Sequence, residues 1–227
     1  MIAVEICCNS RVSAKAAKNG GAKRIELCRE LDCGGLTPTD EDIDYCVREL
    51  GLRTHVLVRP RAGDFCYNVA EVAEIERSIV RCRELGTAAV VVGFLDAEGR
   101  IDASLTRRMV ELAKGMEVTF HRAFDEARQD PLEALQVIAD SGCTRLLTSG
   151  QAPTASEGAE VIKRLVEASD RVTVLAASGV TPWNVRQLIE KTGVREVHGS
   201  CKIALPDGSI QTDIGQVREI LENTKGL

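Results

Sequence analysis

The sequence predicts an α/β protein, a single (β/α)8 TIM-type barrel spanning residues 1–227. Three observations predict it. Eight short apolar segments alternate with eight amphipathic ones, the order that gives parallel strands joined by helical crossovers. A glycine followed closely by an apolar strand recurs in "GGAKRIELC" (20–28), "LGTAAVVVG" (85–93), "SGCTRLLTS" (141–149) and "TGVREVHGS" (192–200), and "LGLRTHVLV" (50–58) follows the same plan. No linker-like stretch interrupts the run, and the segment after the first strand, "CCNSRVSAK", lacks the glycine-rich loop of an open nucleotide-binding sheet.

The elements follow in order. Strand 2–8 opens the chain, and an amphipathic helix covers 11–19. Strand 23–28 precedes a helix over 40–50. Strand 53–59 leads through a loop to Asn68, which heads a longer helix with Val72, Ile75, Ile79 and Cys82 at helical spacing. Strand 88–93 is followed by a helix over 102–114. After strand 116–121, Asp130-Pro131 starts a helix carrying Leu132, Leu135 and Ile138, with Glu133 completing a capping box. After strand 144–149, Thr154 and Glu157 begin the helix of Ile162 and Leu165. After strand 171–177, Thr181-Pro182 opens the segment of Val185, Leu188 and Ile189. Strand 194–198 and a helix over 213–223 complete the set.

Composition excludes several function classes. The chain is 44% hydrophobic and 28% charged, ordinary for one sizeable core, with aromatics at only 3%. A formal charge of −5 speaks against nucleic acid as the main partner. No apolar run reaches the roughly 20 residues of a membrane helix. "MIAVEICC" carries no basic n-region and reads as a strand, not a signal peptide, so a cytoplasmic location is expected. Nine cysteines without any C-x-x-C pair then imply neither a disulfide framework nor a structural zinc of the usual spacing.

Alternation along each strand points to a functional cavity. Val4 and Ile6, Ile25 and Leu27, and Val56 and Val58 should face the helices. Glu5, Cys7, Glu26, Cys28, His55, Leu57 and Arg59 then face the barrel axis, as do Thr119, His121, Glu196 and His198. Interiors of such barrels are usually filled with branched apolar side chains, so this polar set must be hydrogen-bonded or meet a ligand. In "VTFHRAFD" (118–125) the strand ends in His121, Arg122 and Asp125 at the rim where binding sites of this fold lie.

The loops extend the set. Arg59 and Arg61 in "RPRAGDFCYN" (59–68) suit a carboxylate or phosphate; equally, they could pair with Asp64, Glu26 or Asp125. "TSGQ" (148–151) and "ASGVTP" (177–182) could offer backbone N–H groups to an anion. "EIC" (5–7) and "ELC" (26–28) are copies on consecutive strands. Cys7 and Cys28 could therefore share Cu(I) between two thiolates; buried cysteines also serve as small hydrophobes. Cys8 should pack outward. Cys46, Cys82 and Cys143 read as core, and Cys33, Cys66 and Cys201 as loop residues open to reaction.

Taken together, "EICC", "RIELC", "GGLTP" (34–38), "RPRAGDFCY" (59–67), "VTFHRAFD", "LLTSGQ" (146–151) and "EVHGS" (196–200) resemble the copper homeostasis protein CutC family over nearly the whole chain. The resemblance implies a TIM-type barrel, a cytoplasmic protein, self-association as a dimer or tetramer, and a role in copper handling. Its motif residues fall here on Glu5, Cys7, Glu26, Cys28, Arg59, Arg61, Asp64, Tyr67, His121, Arg122, Asp125, Ser149 and His198. Ala62, Ala177 and Ser178 depart from a family pattern richer in glycine.

Two functions follow as expectations. In the first, Cys7 and Cys28 bind Cu(I), with His121 a third ligand. In the second, the barrel is an enzyme on a small anionic or sugar-like metabolite. Glu5, Glu26 and His121 are then the acid–base candidates, and Arg59, Arg61, Asp64, Arg122, Asp125, Ser149 and His198 the substrate-binding ones. The expected partners are a copper ion or a small molecule and further copies of the chain, with no nucleic acid and no membrane.

Overall fold

Eight parallel strands close on themselves in sequence order, β1 pairing with β8, in a computed structural model that describes residues 2–206 and 208–227. They are β1 (Ala3–Cys8), β2 (Arg24–Leu27), β3 (Arg53–Leu57), β4 (Ala89–Val92), β5 (Glu117–Phe120), β6 (Arg145–Thr148), β7 (Thr173–Ala176) and β8 (Glu196–Gly199). A helix follows each: α1 (Arg11–Gly20), α2 (Asp40–Asp44), α3 (Val69–Leu85), α4 (Ala103–Leu112), α5 (Pro131–Asp140), α6 (Ala159–Ala168), α7 (Val185–Thr192) and α8 (Ile214–Asn223). The (β/α)8 barrel expected from the repeat is therefore present.

Most strands are a residue or two shorter than expected. Cys28, Arg59, His121 and Ser149 lie just past the ends of β2, β3, β5 and β6, where the ladder stops and the chain turns into loops. The 40–50 helix continues beyond α2 as one π-helical stretch, Tyr45–Glu49. α6 and α7 start later than their first capping signals. Thr154 and Glu157 do exchange reciprocal bonds of 3.0 and 3.3 Å, but in a turn ahead of α6. At α5, Asp130 accepts from Leu132 at 2.9 Å; the full capping box forms instead at Asn68 and Glu71 on α3. A hairpin that the sequence did not announce, β9 (Lys202–Ala204) with β10 (Ile210–Thr212), follows β8. Asn9 donates to Ile210 O at 3.3 Å, and the Thr212 N–H donates to the Ser13 hydroxyl at 3.1 Å, tying the hairpin to the start of α1.

Strand alternation sorts the core into two layers. Ile6, Ile25, Leu27, Val56, Val90, Phe120, Leu146 and Val197 face outward and meet Ile43, Ile75, Ile79, Met109, Ile138, Ile162, Leu165, Val217 and Ile220 from the helices. Burying one such side chain contributes about 1.5–3 kcal/mol, which makes this shell the main source of stability. The inner layer is divided. Leu147, Leu175 and Ala177 make one apolar patch, and Cys7, Cys28, Leu57 and Val91 another. Glu5, Glu26, His55 and His198 fill the sector made by β8, β1, β2 and β3.

The N-terminal rim is shut by charge. Arg53 bonds Glu117 at 2.6 Å, Glu117 meets Arg145, and Arg145 reaches Glu196 at 3.0 Å. Glu196 holds Arg24 at 2.6 Å, and Arg24 Nε lies 2.9 Å from Glu5. Five of these six side chains come from the first residue of a strand, on the face that points inward.

Candidate functional site

The opposite, C-terminal rim opens into a cavity of about 740 Å³. Cys7, Glu26, Arg59, Phe65, His121, Arg122 and His198 line it, with Trp183 and Lys202 at the edge. Of the candidate residues, Glu5 lies beneath this cavity, 1% exposed, and Cys28 lies behind its wall. Arg61, Asp64, Asp125 and Ser149 are not part of its lining.

At the bottom, Glu5 organises the histidines. Its carboxylate sits 2.9 Å from His198 Nδ1, 2.8 Å from His55 Nδ1 and 2.9 Å from Arg24 Nε. The latter two are ion-pair distances without well-directed hydrogen bonds. Burial alone would raise the Glu5 proton affinity, but His198, His55 and Arg24 overcome it and hold the carboxyl well below its usual range. His198 behaves in the opposite sense. Burial pulls it down, and Glu26, Cys7 and Glu5 outweigh that and hold the imidazolium well above its ordinary value. Burial pushes Glu26 up to about 7, aided by Glu5 and opposed by His198. A carboxyl that titrates near neutrality beside a persistent imidazolium is a matched acid–base pair.

The thiols sit at this same corner. Cys7 Sγ lies 4.0 Å from Cys28 Sγ and 3.7 Å from Glu26 Oε1. Ligand atoms of Cys7, Glu26 and His198 all fall within 4.8 Å of one another. The bond with Cys28, together with burial, keeps the Cys7 thiol well above its usual value. The imidazole within reach of Cys7 is thus His198; His121, the expected third ligand, is outside that group.

His121 is set by its loop. Its Nδ1 accepts the Ala123 N–H at 3.1 Å, so the remaining proton of the neutral ring is on Nε2. Burial, aided by Arg59, lowers its value to about 3, which keeps it neutral. Gly93 makes room for it, since a Cβ there would meet Nδ1 at 2.3 Å. Phe65 lies against the ring, centroids 4.9 Å apart, with the Arg59 guanidinium 4.9 Å from the other partner, the same Phe65 centroid.

The loop residues separate into two kinds. Arg59 donates to the carbonyls of Cys33 (3.0 Å), Gly35 (3.3 Å) and Gly63 (2.8 Å), so it fastens the loops after β2 and β3 while lining the cavity. Arg61 pairs with Asp64 at 2.9 Å and Glu71 at 2.6 Å and stacks over Tyr67, which makes it a loop brace and not part of an anion clamp in the mouth. "TSGQ" also departs from expectation. Its N–H groups are taken by the Asp125 carboxylate, which accepts from Ser149 N at 3.0 Å, Gln151 N at 3.1 Å and the Thr148 and Ser149 hydroxyls. The loop binds an anion, but one supplied by its own chain. Arg122 lines the mouth and pairs with Asp125 at 2.9 Å. Ser178, where glycine was the family expectation, has φ +76° and rests its hydroxyl on Pro153 O at 2.9 Å.

Among the thiols, Cys8, Cys46, Cys82 and Cys143 are buried, Cys33 is half-buried and Cys66 exposed. Cys201, expected to be open to reaction, is 4% exposed because its loop folds under the hairpin and α8: the Asp213 N–H donates to its carbonyl at 2.8 Å. Sequence reasoning missed the rim chain of Arg24, Arg53, Glu117 and Arg145, although their parity with the inward-facing residues of each strand marks them. It also missed Phe65, Trp183 and Lys202 as lining residues, for which no sequence signal stands out. No helix of the described residues is long and apolar enough to cross a membrane.

Known proteins resemble the chain along most of its length. The family model described as the CutC family matches residues 2–203. A CutC family protein of Chromobacterium violaceum is 44% identical over 200 residues, 88% of this chain and 81% of the relative. One of Bacteroides fragilis is 43% identical over 206 residues, 90% and 82% of the two chains. The crystal structure of a CutC protein from Streptococcus agalactiae superposes with a TM-score of 0.83 at 31% identity, over 88% of this chain and 99% of that one.

Proposed function

This chain belongs to the CutC family, and on that premise we propose that the barrel mouth takes up Cu(I) between Cys7 and Cys28, with His198 as the third ligand. The observation that carries this reading is the 4.0 Å separation of the two sulfurs. With metal–thiolate bonds of about 2.3 Å, that separation subtends roughly 120° at a shared ion. His198 lies within 4.8 Å of Cys7 and Glu26 in a group that leaves out Cys28, so its imidazole must swing toward the second sulfur to close a trigonal set. Two thiols and an imidazole are soft to intermediate donors, the set that favours monovalent copper. The Glu26 oxygen is the hard member of the corner and is better suited to receive a displaced proton.

Titration of the reduced protein with Cu(I) against a competing chelator tests this. The Cys7→Ser/Cys28→Ser double variant is expected to bind at least about 100-fold more weakly, beyond the 10–100-fold that even outer partners of a ligand carry. Equal affinity in the two proteins would remove the site. Because the Cys7 thiol is held protonated, metal must displace a proton. Affinity should therefore rise about tenfold per pH unit for each proton released, and a flat profile between pH 6.5 and 8 would contradict thiolate ligation.

A second reading rests on the Glu26–His198 pair in a cavity much larger than one ion. There Glu26 takes the proton from a hydroxyl-bearing carbon beside a carbonyl while His198 gives its proton to the carbonyl oxygen, producing an enediol. Glu26 then returns its proton to the former carbonyl carbon, and the proton of the other hydroxyl goes back to His198. Hydroxy-aldehydes, hydroxy-ketones and sugar acids incubated with the protein in D2O should exchange C–H for C–D. Glu26→Gln should slow the exchange by about 10²–10⁴-fold. Absence of exchange across the whole panel would sink this reading.

A further inference from the structure

Two buried donors on residues that line the cavity have no hydrogen-bond partner: Arg59 Nε and His121 Nε2. Both residues are 6% exposed and line the same cavity. For Arg59, three of the four terminal N–H groups go to loop carbonyls, the Tyr67 hydroxyl lies beside the guanidinium, and Nε–H has no well-directed partner. For His121, Nδ1 takes the Ala123 N–H, and the Nδ1–Cε1 edge packs on Gly93. That turns the Nε2–Cδ2 edge away from Gly93, with its proton undonated. Leaving a buried donor unmade is unfavourable, and two beside one cavity mark a place shaped for an acceptor.

The geometry points to a carboxylate-binding subsite in which a small hydroxy acid places its two oxygens on Arg59 Nε and His121 Nε2. One positive charge and two N–H groups match a carboxylate, with one charge over two oxygens. A phosphate dianion asks for more charge, since His121 is neutral. The rest of the cavity fits the rest of such a molecule. Ser178, Thr181, Ser200 and Gln216 offer partners to hydroxyl groups, and Trp183, 72% exposed, offers a face for the carbon skeleton. Phe65 packs on both side chains, its ring centroid 4.9 Å from that of His121 and 4.9 Å from the Arg59 guanidinium carbon. The subsite uses no thiol and is independent of copper. It deepens the second reading by naming its substrate class, and rests on that reading only for the chemistry that follows binding.

Trp183 is the sole tryptophan and reports the binding directly. Titrate D-glucuronate and D-gluconate against its fluorescence, with D-glucose and inorganic phosphate as comparison ligands. A saturable change is expected with the acids, with glucose weaker by about tenfold or more, as loss of a charge-assisted pair of bonds requires. His121→Phe and Arg59→Lys should each weaken the acids by about tenfold or more while leaving any glucose response in place. Should either Arg59 or His121 variant fail to fold, the ring ¹⁵N resonance of His121 in the wild-type protein replaces it, and must shift on adding the acid. No saturable response to either acid, equal binding in His121→Phe, a silent His121 resonance, or tighter binding of phosphate would overturn the subsite. Acid binding without C–H exchange would leave the subsite standing and remove only the proton-transfer reading.

Discussion

Glu5→Ala is expected to cost about 3–5 kcal/mol of folding stability, the range for removing one partner from a buried ion cluster. The carboxylate is 1% exposed and stands within 3 Å of three basic side chains, at 2.9, 2.8 and 2.9 Å from Arg24, His55 and His198. Deleting it strands charge in the interior. Arg24 keeps Glu196 at 2.6 Å, but the His198 imidazolium loses its nearest anion. The strands concerned, β1, β2, β3 and β8, are neighbours, so the damage concentrates on one side of the barrel.

The pH dependence fixes the cause. Glu5 has a folded value well below 4.5. Its contribution is therefore complete above about 4.5 and is lost as pH falls through the lower folded value. Wild type and variant should differ fully at neutral pH and converge in strong acid. His198 has a raised value, so its contribution is present below 6.5 and is lost as pH rises through the folded value. In the variant that alkaline limb should move toward lower pH. Urea melts across the pH range measure both limbs. A difference under about 1 kcal/mol at pH 7 would show that the cluster contributes little.

Gly158→Ala is expected to cost about 3 kcal/mol, the upper end for overpacking, or more. A Cβ at Gly158 would stand 1.9 Å from Ser149 O and 3.0 Å from Gly150 Cα. The atoms it meets are backbone, and that backbone is pinned by Asp125 through Ser149 N at 3.0 Å and Ser149 Oγ at 2.9 Å. The φ of Gly158 is −86°, which any residue adopts, so the cost is steric. Gly115→Ala is the matching control. It has open space around the added carbon but φ +97°, and should lose about 1 kcal/mol through conformation alone. Equal losses in the two variants would refute the close approach.

The barrel and the inward orientation of its acids were legible because strand parity is a local property. Val4 and Ile6 dictate where Glu5 and Cys7 point, whatever the rest of the chain does. Partner choice was not legible. His121 and His198 both stand at strand ends, and only the stagger of β1 against β8 brings His198 to Glu5 and Cys7. Asp125 and Arg61 read as ligand-binding charges because sequence shows a charge but not the carbonyls and N–H groups that already satisfy it. The hairpin of β9 and β10 lies in three-residue strands too short to show a period. Ser178 was visible as an exception to a glycine pattern, and its positive φ gives that exception a physical meaning.

The charged floor has a consequence for traffic. A chain of guanidinium and carboxylate groups from Arg53 to Glu5 spans the far end of the barrel, so the interior is a cup with one door. On the reading proposed above, an ion bound at Cys7 and Cys28 would have to come and go through that same door, so a molecule bound at the entrance would slow its passage in both directions without changing how tightly either is held.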